Sequence, residues 1–148
     1  MERETIKNIL DFLNTKENKK LPKKWFDSVE KLKLIQELEN HPDGIQYKHR
    51  GSLDLNKSKI TKLPNDLYVD GYLNLRYCQY LTELPNNLYV GGYLNLADCK
   101  QLTELPDNLY VGGDLGIYYT AIAQKYSSDE IREMITSKGG TLIGKIYR

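Results

Sequence analysis

Few side chains in this 148-residue chain have types and spacing suited to chemistry. Two cysteines, Cys78 and Cys99, stand 21 residues apart, and a thiol pair could serve redox exchange or hold a metal. There is no CxxC, however, and no histidine or acidic cluster recurs beside them. The thiols read as structural. The two histidines, His41 and His49, lie ahead of the regular part of the sequence. Glu83 and Glu104 occupy one repeated position, which Lys62 takes in the copy before, so they read as products of duplication and not as an acid–base pair. A nucleophile elbow, a phosphate loop and HExxH are missing. The expectation is a protein that is not an enzyme and carries no cofactor and no metal.

What must position any functional surface is a repeat. Aligned on a glycine, the chain reads GSLDLNKSKITKLPNDLYV from Gly51, GYLNLRYCQYLTELPNNLYV from Gly71 and GYLNLADCKQLTELPDNLYV from Gly92, and GDLGIYYTAIAQKY follows from Gly113. The first step is 20 residues and the next two are 21. Each copy opens on an alternating strand (Leu53/Leu55, Leu73/Leu75, Leu94/Leu96, Leu115/Ile117), whose period of two puts the leucines on one face. Ile60/Leu63, Leu81/Leu84 and Leu102/Leu105 follow, then Pro64, Pro85 or Pro106, then Leu67/Val69, Leu88/Val90 or Leu109/Val111. One coil cannot hide so many aliphatics; stacked coils cover each other's cores. Ser58, Cys78, Cys99 and Thr120, five residues after the first strand leucine, are expected to turn inward and bond the backbone where the strand bends away.

The composition has one excess: 12 tyrosines against 2 phenylalanines. The outward columns of the strands are Ser52, Tyr72, Tyr93, Asp114, then Asp54, Asn74, Asn95, Gly116, then Asn56, Arg76, Ala97, Tyr118. Core positions are nearly identical between copies, whereas these vary. Packing accounts for sameness but does not require Tyr, Arg and Asn exposed on one sheet. Tyrosine and arginine are frequent interface anchors. The expected partner-binding residues are therefore Tyr72, Asn74, Arg76, Tyr93, Asn95, Asp114 and Tyr118, set against the plainer reading of Tyr72 and Tyr93 as a cross-strand ladder. A second column, Tyr68, Tyr89 and Tyr110, repeats so strictly that it reads as a structural stack.

The string from Leu94 to Pro106, LNLADCKQLTELP, resembles the short bacterial leucine-rich repeat, LxLxx(N/C)xxLxxLP, over roughly residues 51–122. The paired glycines before each strand are similar to repeats of the LPxxLxVGGxLxL kind in bacterial and phage-encoded proteins. The resemblance implies an α/β repeat solenoid with a parallel sheet whose outward face is concave and binds proteins. Secreted bacterial ubiquitin ligases also carry LP-type repeats, but their catalytic cysteine lies in a large separate helical domain, so that activity does not carry over.

Both ends should be capped. Residues 1–44 form the expected N-terminal helical cap: Ile6, Ile9, Leu10 and Leu13 space one helix, and Trp25, Val29, Leu32, Ile35 and Leu38 a second, stopping at Pro42 and Gly44. Trp25 is expected on the first coil, and Lys19, Lys20, Lys23 and Lys24 as a solvated face more than a phosphate-binding arm. Residues 45–122 form the solenoid and 123–148 a helix–strand cap. In that cap Ser127 and Glu130 have capping-box spacing, and the helix stops at Gly139-Gly140. GGTLIGKIY then echoes GGYLNLADC as a degenerate last coil, 27 residues on from Gly113, with Gly144 where a strand leucine should stand.

A net charge of +1 supplies no general attraction to nucleic acid or acidic membranes. No apolar run approaches the ~18 residues of a spanning helix, and the N-terminus lacks a signal-peptide core, so the expected location is the cytoplasm. The expected function is a non-catalytic protein–protein interaction module, adaptor or inhibitor, expected to be a monomer more than a homo-oligomer. The alternatives are a structural subunit of a larger assembly, such as a phage, and a single-stranded nucleic acid binder stacking bases on tyrosine.

Overall fold

The computed structural model describes residue 11 and residues 23–148. The first expected helix, Lys19, Lys20 and the side chain of Trp25 lie outside the described residues. Two compact units divide the chain, Met1–Glu37 and Leu38–Arg148. Helix α1 (Lys23–Glu39) accounts for the described residues of the first from 23 onward, and its last two residues belong to the second. There Leu38 is fully buried, and Glu39 Oε1 accepts hydrogen bonds from Thr61 N (2.8 Å) and Thr61 Oγ1 (3.0 Å).

The second unit is a parallel β-solenoid. One sheet joins β1 (Lys48–His49), β3 (Tyr68–Val69), β5 (Tyr89–Val90), β7 (Tyr110–Val111) and β9 (Thr141–Leu142), in that order. The other joins β2 (Leu53–Asp54), β4 (Leu73–Asn74), β6 (Leu94–Asn95), β8 (Leu115–Gly116) and β10 (Ile146–Tyr147). The second of these sheets contains the alternating strands expected from sequence. The first is built from the Leu-Tyr-Val segments, and its β1 brings His49 into register with Val69, inside the array and not ahead of it. Leu53, Leu73, Leu94, Leu115 and Ile146 form one in-register row. The four leucines of that row are at most 1% exposed, which is the mutual cover that an isolated coil lacks.

Each coil turns twice through left-handed backbone. Lys57, Tyr77, Asp98 and Tyr119 (φ 57–60°) end the strands of the second sheet, and Asp66, Asn87 and Asn108 (φ 54–59°) precede those of the first. Asn and Asp tolerate this region, and the side chains of the later column also pair across coils. Asn108 Nδ2 donates to Asn87 Oδ1 (2.8 Å) and Asn87 Nδ2 to Asp66 Oδ1 (2.6 Å). The paired glycines meet a different demand. Gly113 N donates to Gly92 O (3.0 Å), and a Cβ on Gly113 would sit 2.8 Å from the Gly92 carbonyl carbon. Close stacking of backbone, without positive φ, therefore requires glycine at these corners.

At the C-terminal end α2 (Ala121–Lys125) is capped by Thr120, whose Oγ1 accepts from Ala123 N (3.1 Å). Helix α3 (Ser128–Ser137) opens on the expected capping box, with Glu130 N donating to Ser127 Oγ (3.2 Å) and Ser127 N to Glu130 Oε2 (2.7 Å). It buries Ile131 and Ile135. The expected register of the last coil is corrected. Gly144, not Gly140, is the corner residue, because Gly144 N donates to Gly113 O (3.0 Å). The step into this coil is 31 residues, from Asp114 to Lys145, and not 27. Gly139 instead takes a left-handed turn (φ 79°) after α3, beside Asn108, where a Cβ would strike Asn108 Oδ1. TLIGKIY thus lies on YVGGDLG, and Ile146 supplies the strand aliphatic expected at Gly144.

Candidate protein-binding face

The outward side of the second sheet contains two kinds of residue. The first kind holds backbone. Ser52 Oγ accepts from Tyr72 N (3.1 Å) and Asp114 Oδ1 from Lys145 N (2.7 Å), each bridging to the next coil. Asp54, Asn74 and Asn95 each accept on Oδ1 from the N–H two residues on, at Asn56 (3.0 Å), Arg76 (3.1 Å) and Ala97 (3.0 Å). These Asx turns close the strand ends and account for a polar residue at that position in the first three copies. Asn74, Asn95 and Asp114 therefore have structural partners of their own. Ala97, in the third column, is covered (5% exposed).

The second kind is aromatic and has no such duty. Gly116 breaks the Asx column, and Tyr93 fills the space: a Cβ on Gly116 would collide with Tyr93 Oη. Tyr118 and Tyr147 lie beyond, with ring centroids 6.4 Å apart and planes at 28°. Partial burial, and then the negative potential of Tyr118, Asp114 and Tyr147, push the Tyr93 phenol above its usual range, while Arg76 acts in the opposite sense. Tyr72 (44%), Tyr118 (39%) and Tyr147 (39%) present their rings to solvent. Next to them Tyr119 is 69% exposed in left-handed backbone, a conformation that costs a non-glycine residue about 1–2 kcal/mol. Neither packing nor backbone preference accounts for a tyrosine there.

Arg76 reaches sideways. Its guanidinium carbon lies 4.8 Å from the Tyr77 ring centroid, Nη2 donates to Tyr77 Oη (3.3 Å), and Nε is 3.8 Å from Asp98 Oδ2. It borders the aromatic area without covering it. Of the expected site residues, Tyr93, Tyr118, Asp114 and Arg76 thus share one neighbourhood, and Tyr72 stands one coil away. Tyr147 was missed because the last coil was read out of register; laying GKIY on GDLG would have found it.

The other columns are scaffold. Tyr68, Tyr89 and Tyr110 stack with centroids 4.4 and 4.5 Å apart and planes within 6° and 2° of parallel, the expected ladder, with Lys48 Nζ 5.9 Å from the Tyr68 centroid. Cys78 Sγ donates to Leu55 O (3.1 Å) and Cys99 Sγ to Leu75 O (2.9 Å), as expected of inward polar groups. Neither thiol is in a disulfide, and burial pushes the Cys99 thiol up to about 12, which suppresses the reactive thiolate. Glu83 and Glu104 are exposed on the proline turns, where Lys138 Nζ is committed to Leu105 O (2.8 Å). Among the described residues no group of three His, Cys, Asp or Glu could hold a metal ion, and no helix is long and apolar enough to cross a membrane.

These features define the class: a parallel-strand repeat solenoid of about three turns with a period near 21 residues, with helices α2 and α3 before its last coil. No protein-family model, curated protein or solved structure matches the chain.

Proposed function

We propose that this protein is a non-catalytic interaction module of the leucine-rich-repeat type, which takes a protein partner on the outward face of the sheet β2–β10. Support for the repeat type comes from Cys78 and Cys99. They stand at the N/C position of LxLxx(N/C)xxLxxLP, and their thiols bond the carbonyls of the coil before.

One observation carries the binding reading: Tyr93, Tyr118 and Tyr147 gather around the bare backbone of Gly116, in a column otherwise reserved for backbone-holding polar residues. A stack of coils needs neither Tyr118 nor Tyr147 to be exposed. Rigid aromatics with a polar tip lose little entropy on docking, and Arg76 and Asp114 at the border supply orientation and charge selection. The face holds too few cations to track a phosphate backbone, which favours protein over nucleic acid as partner. Buried cysteines that form no disulfide agree with a reducing compartment such as the cytoplasm.

Affinity capture from native cells, with the protein as bait, tests the reading when run beside the pair Tyr118→Ala/Tyr147→Ala. A protein retained by the wild type and lost with the folded double variant supports it. Equal retention by both, or dependence of retention on nuclease-sensitive nucleic acid, contradicts it.

A further inference from the structure

Every internal corner of the solenoid offers two carbonyls to the coil that follows. Val69 O and Gly71 O accept from Gly91 N and Gly92 N (both 2.9 Å), and Val90 O and Gly92 O accept from Gly112 N (2.9 Å) and Gly113 N (3.0 Å). Val111 O and Gly113 O likewise accept from Ile143 N and Gly144 N, both at 3.0 Å. In the last coil the equivalent acceptors are Leu142 O and Gly144 O. No further coil meets them among the described residues. Arg132, on α3, meets them instead: Nη1 donates to Leu142 O (2.8 Å) and Nη2 to Gly144 O (2.6 Å).

We infer that Arg132 is the terminator of the array, its guanidinium taking the place of the next coil's two corner N–H groups, and that the end it closes would otherwise dock a second copy of this chain. The planar fork of arginine matches two carbonyls spaced like a corner, which a point donor such as lysine does not. Each coil here stacks on a near-copy of itself, so an end with free acceptors and exposed apolar surface is a template for another coil. Ile143, on the same coil, is 64% exposed and supplies that apolar surface. Such head-to-tail contact does not close on itself and leads to open assemblies, the hazard that a charged cap removes. The inference concerns the end of the stack and is independent of what the tyrosine face binds.

Sedimentation velocity of the full chain, over a wide concentration range, reads the outcome. The wild type is expected to remain a monomer, and Arg132→Met to gain mass with concentration, reaching at least about twice the monomer mass at the top of the range. Adding Ile143→Lys to Arg132→Met is expected to restore the monomer. Arg132→Lys keeps the stem and charge and guards against loss of folding; it is expected to associate to a lesser degree. Folded Arg132→Met and Arg132→Lys proteins that stay monomeric overturn the inference. So does a wild type that itself associates, or unfolding of both variants, which would make Arg132 a residue needed for folding and not for termination.

Discussion

Tyr93 lays its hydroxyl over the backbone of Gly116, on the neighbouring coil, in the space that a side chain in that column would need. This pairing turns part of a polar, backbone-holding sheet into an aromatic platform. Gly116→Ala is expected to lift the ring away with a stability change of about 1 kcal/mol or less, since the obstructing atom is the far end of a flexible side chain. A spectrophotometric titration should then show the Tyr93 phenol returning toward the usual tyrosine range. An unchanged titration would place the source of its raised pKa elsewhere.

The ladder Asp66–Asn87–Asn108 combines left-handed backbone with two inter-coil hydrogen bonds. Asn87→Ala removes both bonds and puts a Cβ-bearing apolar residue at positive φ, and is expected to cost about 2–3 kcal/mol. Asn87→Gly should recover the conformational part of that loss and leave the bond part. Urea unfolding of the three proteins checks the order: wild type, then Gly, then Ala.

In the core, Leu94→Ala opens a cavity between two coils and is expected to cost about 2–5 kcal/mol, enough to threaten so short a stack. Loss of the thermal transition, or a large fall in its midpoint, is the expected reading. A variant as stable as the parent would contradict the in-register row.

Alkaline pH should weaken the fold. Burial raises the Cys99 thiol from 9.0 to about 12, so the folded state keeps its proton where the unfolded chain loses it. The stabilisation is complete below the unfolded value and declines as pH rises from about 9 through about 12. The raised Tyr93 phenol acts in the same direction. Denaturation midpoints should fall from about pH 8 to about pH 10.5, less steeply in Cys99→Ser, which keeps a donor for Leu75 O. At neutral pH both thiols should react with a thiol reagent only after unfolding.

The period, the apolar rows, the tyrosine stack, the inward thiols and the capping box of α3 were legible in the sequence, because each repeats or follows a local rule. The last coil was not read correctly. Gly139-Gly140 has the same letters as the corner glycines but meets another need, a left-handed turn after a helix, and that shift hid Tyr147. The roles of Asn74 and Asn95 were also hidden, since an exposed polar residue on a strand looks the same whether it awaits a partner or holds its own backbone. Arg132 gave no sequence signal, for its two acceptors are main-chain atoms brought to it by the fold. The convergence on Gly116 likewise depends on the register of three coils.

The most direct test of the binding account is photo-crosslinking from inside the native cell. A benzoyl-phenylalanine at position 118 should yield one dominant crosslinked protein, and the same group at the exposed Thr103, on the proline-turn side, should not. Crosslinks at 103 and none at 118, or a yield at both positions without distinction, would contradict the assignment of the tyrosine face.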